Sequence, residues 1–521
     1  MQNRVNVIPE KKYRRLRRKW LFMFIIIAAA ILWAGIWGEK DTDKEPETEI
    51  IVTKKEQPDD YKYLEESPEI RVILMDGNYE NLYHDKLEIV FPSGGYILTC
   101  VGNQWEKDVI KAGKEITVGL GEDFDYSMTQ DMLVAFVPGK EEDTFIVNGI
   151  NRNRATCSYY GRLEVSLEKG GLLAINSLPL ETYLCGVVPS EMPASYNAEA
   201  LSAQAILART YAYKYLISPA YAEYGAHVDD SISFQVYGNI DQADAASAAV
   251  KETTGVLLFL DRSLAEVYYY STSCGYGADG TTWGGDGQIY LKEKRIGPGA
   301  LKTADGSLEG EEAEQYYLES LQQEEAFREM IIKPFVKGYE GDLPWYRWSA
   351  ENVYVDSNAI LARLKERYNA NPNVILKKQE DGSYISEQVT ELGNIKNISV
   401  AKRASGGCLE EICIEGEEAD YKILREYNIR YVLNGSGTEV VKADGSVSYC
   451  ATLLPSGFFY IEPVYTGDKM TNYHIYGGGY GHGVGMSQNG ANEMAKAGQS
   501  CQEILEFFFP DTVLVSYERN S

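Results

Sequence analysis

The sequence predicts an α+β fold preceded by one transmembrane helix. Three observations support this prediction. Short apolar runs separated by Gly, Pro, Asn and Asp dominate from residue 70 to residue 167, as is typical of strands. Helix-forming composition begins at residue 197. Residues 20–38 form a run of 19 residues without a charged side chain, which is long enough to cross a bilayer as a helix.

The charge of the chain is unevenly distributed. Its 521 residues contain 50 Lys and Arg against 77 Asp and Glu, a net charge of −27. Residues 1–19 alone hold eight basic residues and one acid, a sum of +7, so the remaining 502 residues carry −34. Such an acidic body excludes a nucleic-acid partner, because binding to phosphates requires a basic surface. A hydrophobic content of 44% excludes a wholly disordered chain.

Residues 20–38 are predicted to be an uncleaved membrane anchor. As a helix the run spans about 28 Å, close to the ~30 Å hydrocarbon core of a bilayer. Because basic residues precede the run and acidic residues follow it, residues 1–19 are expected to be a cytoplasmic tail, and the rest of the chain is expected outside. The alternative is a cleaved signal peptide, which would have a shorter apolar region and a small-x-small cleavage site.

The remainder divides into a charged linker, residues 39–67, and an extracytoplasmic domain, residues 68–521. Strands are predicted at 70–75, 87–91, 96–101, 132–137, 144–147 and 163–167, and again between 398 and 463. Helices are predicted at 311–333 and 357–368. All eight cysteines follow the anchor. We expect most of them to be buried free thiols, and the alternative for the others is one or two disulfides.

Residues 177–216 place a carboxylate between two prolines. Pro189 and Pro193 restrict the backbone around Glu191, so we predict that Glu191 lies in a rigid, non-helical loop. Asn197 is a good N-cap for the helix that follows. The buried stripe of that helix is predicted to consist of Leu201, Ala205, Ala208 and Ala212.

Two charged residues of this segment have simple interpretations. Glu181 lies near a helix start, where an acid complements the helix dipole. Arg209 lies within the small-residue surface of the second helix. Composition favours Arg209 as a surface residue whose stem covers apolar neighbours, and the alternative is an anion partner in a groove.

Residues 473–510 contain the second unusual segment. Seven of the fourteen residues from 477 to 490 are glycine, and His474 and His482 lie within or beside this run. Such a run lets the backbone approach a ligand closely, and the alternative is a structural turn. The spacing fits neither a P-loop nor a dinucleotide fingerprint. A helix is predicted from residue 488 to residue 496, followed by a capping box from Ser500 to Glu503.

Other catalytic and metal patterns are weak. Ser273 ends a strand in a run of small residues but has no evident base, so a Ser-His-Asp hydrolase is not indicated. His227 lies beside Asp229 and Asp230, but no further ligand spacing accompanies it. We therefore expect His227 to be solvated and predict no metal site.

The combined motifs resemble the stage II sporulation protein D/LytB family. They are LPLETYLCGVVPSEMP, AEALSAQAILARTYA, FQVYG, YYSTSCG, RASGG and GGGYGHGVGMSQNGANEMAKAG. The resemblance runs from about residue 70 to residue 514, with additional material at about 102–150 and 300–390. Members from endospore-forming bacteria are single-pass membrane proteins that act on peptidoglycan during engulfment. The resemblance thus implies a domain with a glycan groove and no cofactor.

The resemblance also implies roles for particular residues. The glutamate of the family's Glu-Met-Pro motif is the catalytic acid of a lytic transglycosylase, and it falls on Glu191. Phe234 and Tyr270 stand where many members have His or Cys, so the resemblance supplies no zinc site. The residues implied to bind substrate are Arg209, Gln235, Ser273, His482 and Gln488.

The resulting hypothesis is a lytic transglycosylase that cleaves MurNAc–GlcNAc bonds to 1,6-anhydro ends during sporulation. The implied partners are glycan strands without stem peptides, an amidase or other engulfment-complex membrane proteins, and the membrane itself. One alternative is a non-catalytic peptidoglycan-binding protein that enhances a partner amidase. Another is a structural member of the engulfment assembly that docks through residues 300–390.

Overall fold

The described part of the chain is an α+β protein, as predicted. The computed structural model describes residues 68–77, 79–101, 104–150, 152, 157–238, 241–284, 287–333, 338–434, 437–467 and 469–517. The predicted tail, anchor and linker, residues 1–67, lie outside these ranges. Within them, no helix has the length and apolar character needed to span a membrane.

The described residues form 27 strands and nine α-helices. The strands before the first helix are β1 (Glu69–Ile73), β2 (Leu87–Val90), β3 (Gly95–Val101), β4 (Gln104–Ile110), β5 (Glu115–Gly119), β6 (Tyr126–Ser127), β7 (Met132–Pro138), β8 (Phe145–Asn148), β9 (Ser158–Tyr159), β10 (Arg162–Glu168) and β11 (Gly171–Pro179). Those in the middle of the chain are β12 (Val228–Asp229), β13 (Val256–Leu260), β14 (Ser263–Leu264), β15 (Tyr269–Tyr270), β16 (Trp348–Tyr354), β17 (Ile375–Lys378) and β18 (Tyr384–Ile385). The last are β19 (Ile395–Arg403), β20 (Leu409–Gly416), β21 (Asp420–Leu424), β22 (Thr438–Lys442), β23 (Val447–Cys450), β24 (Phe459–Thr466), β25 (Lys469–Gly477), β26 (Met486–Ser487) and β27 (Val513–Ser516).

The helices are α1 (Leu180–Glu191), α2 (Ala198–Ile217), α3 (Asp244–Glu252), α4 (Glu311–Ser320), α5 (Glu324–Ile332), α6 (Ser357–Ala370), α7 (Glu426–Leu433), α8 (Gln488–Lys496) and α9 (Cys501–Phe508). Asn197 caps α2 by accepting a hydrogen bond from the amide of Glu199. The capping box from Ser500 to Glu503 is present at α9. Both predicted caps are therefore confirmed, and α8 has the predicted bounds.

Two hydrophobic cores organise these elements. The first core is built by a seven-stranded sheet of order β12-β1-β11-β10-β7-β3-β4, a five-stranded sheet of order β6-β5-β2-β8-β9, and helices that include α1, α2 and α9. The second core lies between Trp348 and Ile475. It is covered by two five-stranded sheets, of orders β23-β22-β16-β25-β24 and β18-β17-β21-β20-β19. The later part of the segment 300–390 therefore belongs to the second core, and residues up to 475 supply the rest of that core.

Helix α2 is the central helix of the first core. Thirteen of its 20 residues are buried, including the predicted stripe of Leu201, Ala205, Ala208 and Ala212. A helix buried on nearly all sides must be surrounded by other elements. Here these are α1, α3, α8, α9 and strand β13. This central position explains why small residues dominate α2, since they let the neighbouring backbones approach closely.

The cysteines provide a direct test of this packing. All eight are free thiols, six of them buried and two, Cys185 and Cys413, half-buried. We expect iodoacetamide to modify all eight in guanidinium without reductant, and only Cys185 and Cys413 in the native protein. Intact-mass measurement counts the adducts. Six or fewer adducts in guanidinium would indicate a disulfide and contradict this structure.

Candidate active site

Glu191 is the last residue of α1 and not a loop residue, so the predicted non-helical loop is wrong. Pro189 lies inside the helix, in its final turns, where it removes a single backbone hydrogen bond. Val187, Val188 and Pro189 are buried, and the packing of this face outweighs the preference of a residue before proline for extended backbone. The chain leaves the helix at Met192, which is extended.

The carboxyl group of Glu191 is held in an environment that favours its protonated form. Its Oε1 accepts a hydrogen bond of 2.9 Å from the amide of Val236. Burial nevertheless raises the pKa of Glu191 to about 7, while the Val236 amide opposes that rise. Position at the carbonyl end of a helix disfavours the anion further. Among the residues described, no charged side chain perturbs this pKa. Glu191 still retains partial exposure, so it can meet a ligand.

Tyr269 lies at the centre of the residues around Glu191. The charge of Glu191 contributes to the raised pKa of the Tyr269 hydroxyl, of which burial is the main cause. The Tyr269 hydroxyl accepts a hydrogen bond of 3.2 Å from Nε2 of Gln235. Gln235 is itself buried and also donates to the Ala208 carbonyl. Gln235 therefore orients Tyr269. Its amide is buried and does not face an open groove, contrary to the prediction that Gln235 binds substrate. The sequence signal for Tyr269 was the tyrosine run at 268–270.

His482 contacts the same tyrosine through the backbone. Its Nδ1 accepts a hydrogen bond from the Val484 amide at 3.1 Å, so Nε2 carries the proton and donates to the Tyr269 carbonyl at 3.0 Å. Burial lowers the pKa of His482 to about 3. The ring is thus neutral with both nitrogens occupied. Because both ring nitrogens already form hydrogen bonds, neither can bind substrate as predicted. His482 instead holds strand β15 in place.

The glycine-rich run packs against the same strand. Strand β26 pairs in parallel with β15, joining Tyr269 to Met486. Gly485 has a φ of +78°, and a side chain there would place its Cβ 2.1 Å from the carbonyl oxygen of Tyr268. Only glycine permits this approach. At Gly485 the glycine-rich run is therefore a structural turn, which was the alternative to a backbone that approaches a ligand.

A second buried carboxylate, Glu340, joins two of the sequence motifs. It accepts hydrogen bonds from the amide of Ser273 at 2.9 Å, from the hydroxyl of Ser273, and from the hydroxyl of Ser487 at 2.7 Å. Glu340 is fully buried and makes no ion pair in the described part of the chain. Burial raises its pKa to about 7. Sequence reasoning missed Glu340, because no pattern distinguishes it among the acids of the segment 300–390.

Three predicted site residues are buried scaffold residues instead. Ser273 donates hydrogen bonds from its amide and its hydroxyl to Glu340, and its hydroxyl oxygen accepts a hydrogen bond from the Gly275 amide. Gln488 is 7% exposed, and its Nε2 lies 3.4 Å from Oε1 of Gln204 on α2. Arg209 is fully buried and neither lies at the surface nor lines a groove. Its guanidinium donates to both carboxylate oxygens of Glu181, at 2.7 and 2.8 Å, and to the carbonyl of Val250. Such pairing is required because an isolated buried guanidinium is strongly unfavourable.

Two groups of half-buried aromatic rings lie near Tyr211 and Tyr269, the two tyrosines that interact with Glu191. Tyr211 contacts Tyr215 at 5.2 Å between ring centroids, and Tyr215 contacts Phe234 at 5.1 Å. In the second group, Trp283 contacts Tyr268 at 4.8 Å and His482 at 4.9 Å between ring centroids. Aromatic faces supply large apolar contact areas while hydroxyl and indole groups supply polar ones. The arrangement suits a ligand with alternating apolar faces and hydroxyl groups.

The region around His227 has a different role. His227 accepts a hydrogen bond from the Arg71 amide through Nδ1 at 3.0 Å, and burial lowers its pKa to about 4. It is therefore a half-buried, neutral residue and not the freely solvated one that was predicted. Asp230 is paired with Arg152. Within the described ranges, no three His, Cys, Asp or Glu side chains are grouped to hold a metal ion.

The segment of the chain that carries Glu191 is similar to a known protein family. Residues 168–260 match the family model described as "Stage II sporulation protein", which covers α1, α2 and Glu191. Residues 279–485 match a second model, described as a domain of unknown function, DUF8618. The resemblance to the stage II sporulation protein D family is therefore confirmed.

Two relatives from Bacillus subtilis (strain 168) show the extent of the similarity. The "Amidase enhancer" is 28% identical over 336 residues, which cover 64% of this chain but only 40% of that protein. "Stage II sporulation protein D" is 26% identical over 353 residues, which cover 65% of this chain and 75% of that protein. The protein of the same name from Bacillus amyloliquefaciens is 25% identical over 350 residues.

The Glu340 cluster predicts a specific pH dependence of stability. The folded-state pKa of about 7 lies above the value of 4.5 expected without burial. The folded protein therefore binds the extra proton, and stability is lost as pH rises from about 4.5 to about 7. Glu340→Gln removes this loss, so the stability of the variant relative to wild type should rise by up to ~1.4 kcal/mol per pH unit in that window. Urea unfolding at pH 5, 6, 7 and 8 measures it.

The exposed Glu418→Gln change is the matched control and should show no such trend. A constant stability difference between Glu340→Gln and wild type across this pH range would contradict a protonated Glu340.

Proposed function

We propose that this protein is a lytic transglycosylase that cleaves peptidoglycan glycan strands between N-acetylmuramic acid and N-acetylglucosamine. The observation that supports this most is the state of Glu191. Its carboxyl group is partly exposed and has a pKa raised to about 7. An acid of this kind holds a proton near neutral pH and can transfer it to a leaving group.

The proposed reaction uses this one carboxyl group twice. Glu191 first gives its proton to the glycosidic oxygen as the bond to the anomeric carbon breaks. The resulting carboxylate then takes the proton of the muramic 6-hydroxyl, whose oxygen forms the new bond to the anomeric carbon. The products are a 1,6-anhydromuramic end and a free 4-hydroxyl end. Because the nucleophile belongs to the substrate, no second catalytic carboxylate is needed, unlike in the two-acid glycoside hydrolases.

The neighbouring residues support this reaction by orienting and desolvating the acid. The Val236 amide, which donates to Oε1, remains a donor to the carboxylate formed in the first step. The Tyr269 hydroxyl accepts from Gln235, so its own proton is directed elsewhere and can be donated to a sugar oxygen. The half-buried aromatic groups that include Tyr211 and Tyr268 offer faces for the sugar rings.

Replacing the acid tests the proposal directly. Glu191→Gln keeps the shape of the side chain but removes the transferable proton, so the rate of anhydro-end formation should fall by about 10²–10⁴-fold. In the wild type the rate should fall as pH rises above about 7, because the protonated acid is then depleted. Mass spectrometry of products from purified glycan strands measures both effects.

Glu223→Gln is the matched control, since Glu223 is an exposed acid of the same domain. It should retain wild-type activity. If the wild-type protein forms no anhydro ends from strands with or without stem peptides, the enzyme proposal fails.

A second candidate function follows from the relative named "Amidase enhancer". In this case the protein binds glycan strands without cutting them and stimulates a partner amidase. The two functions differ in what Glu191→Gln does to an amidase assay. If the protein stimulates the amidase by cutting glycan strands, the Glu191→Gln variant no longer stimulates it. If the protein stimulates the amidase by binding alone, the variant still does. The relatives named for sporulation support a role in sporulation. We propose that this role is wall remodelling, with engulfment-complex membrane proteins as partners.

We also propose that residues 20–38 anchor the protein in the cell membrane, with the domain on the outer side. The uncharged run of 19 residues and the charge change from +7 before it to acidic residues after it support this topology. The full-length protein should remain in membranes after alkaline carbonate extraction. Release of a shorter protein that starts after residue 38 would indicate a cleaved signal peptide instead.

A further inference from the structure

Helix α7 of the second core packs against the candidate active site. It lies within residues 279–485, the match to the domain of unknown function. Helix α7 contacts a single 3₁₀ turn, Gly280–Trp283, which follows the tyrosine run of the site. A Cβ added at Gly284, the next residue, would lie 2.5 Å from the guanidinium of Arg425, which directly precedes α7. The two segments are therefore in direct contact.

Trp283, the last residue of this turn, is held by a buried carboxylate of α7. Its Nε1 donates a hydrogen bond of 3.2 Å to Oε1 of Glu426, which is 1% exposed. The other oxygen of Glu426 accepts a hydrogen bond of 3.0 Å from Arg430, one helical turn later. Arg430 also donates to the carbonyls of Leu454 and Pro455. Because each of these groups is hydrogen-bonded to the next, the second core sets the direction of the indole.

Trp283 ends a row of half-buried side chains that begins at Glu191. Burial is the main cause of the raised pKa of Tyr211, and its hydrogen bond with Tyr215 raises it further. The charges of Tyr268 and Glu191 add smaller contributions, so Tyr211 lies near both of them. Tyr268 in turn contacts the indole of Trp283, with 4.8 Å between ring centroids. The row of Glu191, Tyr211, Tyr268 and Trp283, all half-buried, therefore leads from the acid to the second core.

The indole of Trp283 has room for a stacked ligand. Its two aromatic neighbours, Tyr268 and His482, meet it edge-to-face, with interplanar angles of 79° and 68°. In the part of the chain that the structure describes, no ring is stacked in parallel on it. A half-buried indole of this kind combines a flat apolar face with a polar edge. A pyranose ring presents a matching apolar face of C–H groups, with its hydroxyl groups at the rim.

We propose that Trp283 binds one sugar ring of the glycan strand next to the cleavage site, and that Glu426 of α7 is the residue that positions Trp283. This inference rests on the proposed function, since the ligand is the strand that Glu191 cleaves. The sugar ring stacks on the accessible face of the indole. Because the hydrogen bond to Glu426 fixes the indole before the strand arrives, less side-chain entropy is lost on binding. The domain of unknown function thus supplies a fixed wall that aligns the strand with the acid.

Binding is measured separately from cleavage. Full-length protein with Glu191→Gln, in detergent, is titrated with purified peptidoglycan glycan strands. Adding Trp283→Ala should raise Kd about tenfold to thirtyfold, as expected for a tryptophan at the centre of a binding site. Trp105→Ala removes a half-buried indole of strand β4 and is the matched control, which should leave Kd unchanged. An unchanged Kd in Trp283→Ala overturns the assignment of Trp283, even if anhydro ends are formed.

A double-mutant cycle tests whether Glu426 acts through the indole. Glu426→Asp keeps the negative charge beside Arg430, which protects the fold, but its shorter side chain withdraws the acceptor from Trp283. It should raise Kd about threefold, the effect of one lost hydrogen bond. In Trp283→Phe, which lacks the indole N–H, the same change should have no further effect. Equal effects of Glu426→Asp in both backgrounds, or no effect beside an intact Trp283, overturn the positioning role.

Kinetics with an intact Glu191 distinguishes this inference from the proposed function. Trp283→Ala should raise KM about tenfold and change kcat less than about twofold, because stacking acts equally on the bound strand and on the transition state. A fall in kcat with an unchanged KM overturns the binding role of Trp283. If the wild type forms no anhydro ends but Kd depends on Trp283 and Glu426 as described, the assignment of these two residues stands and the enzyme proposal fails.

Discussion

The hydrogen-bonded carboxylate of Glu340 is the interaction on which the arrangement of the site depends. It joins Ser273, three residues after the strand that carries Tyr269, to Ser487, which caps the helix after the glycine-rich run. Glu340 itself comes from the additional segment between these motifs. A fully buried carboxylate without a cation is costly unless several donors satisfy it. Three donors do so here, and they come from two distant parts of the chain. The cluster therefore requires these parts to meet in one geometry.

This constraint extends to the candidate active site through strand β15. Tyr269 is held on one side by its pairing with Met486 and by His482, and on the other by Gln235. Glu191 lies next to this tyrosine, at the end of a helix whose other end is fixed by the ion pair between half-buried Glu181 and buried Arg209. The acid is thus positioned by the ends of rigid elements. Such support keeps a carboxyl group in a desolvated position without a charged partner.

The additional segment, residues 300–390, contributes residues both to the candidate site and to the second core. It supplies Glu340 to the site and Trp345 to the contact with Tyr480, and it continues into strand β16 of the second core. A chain with an acidic body has little general attraction for an anionic wall polymer.

Periodicity and caps predicted much of the local structure, because they depend on neighbours in the chain. The six strands predicted between 70 and 167, the cap at Asn197 and helix α8 followed from such patterns, whereas β4, β5, β6 and β9 were not predicted. Glu191 was placed correctly between its prolines but wrongly in a loop, since the packing of Val187 and Val188 outweighs the local effect of Pro189. Arg209 was assigned to the surface or to a groove, because a buried guanidinium is rare unless a partner is known to be near.

The sequence by itself determined the family resemblance, the alternation of strands and helices, and the identity of the one carboxylate flanked by Pro189 and Pro193. Only the tertiary structure decided which predicted residues surround that carboxylate. His482 and Gln235 meet at Tyr269, whereas Arg209, Ser273 and Gln488 are buried in the scaffold. The physical reason is that the pKa and accessibility of a side chain depend on desolvation and on donors from distant residues. Those distances are set by packing and not by spacing along the chain.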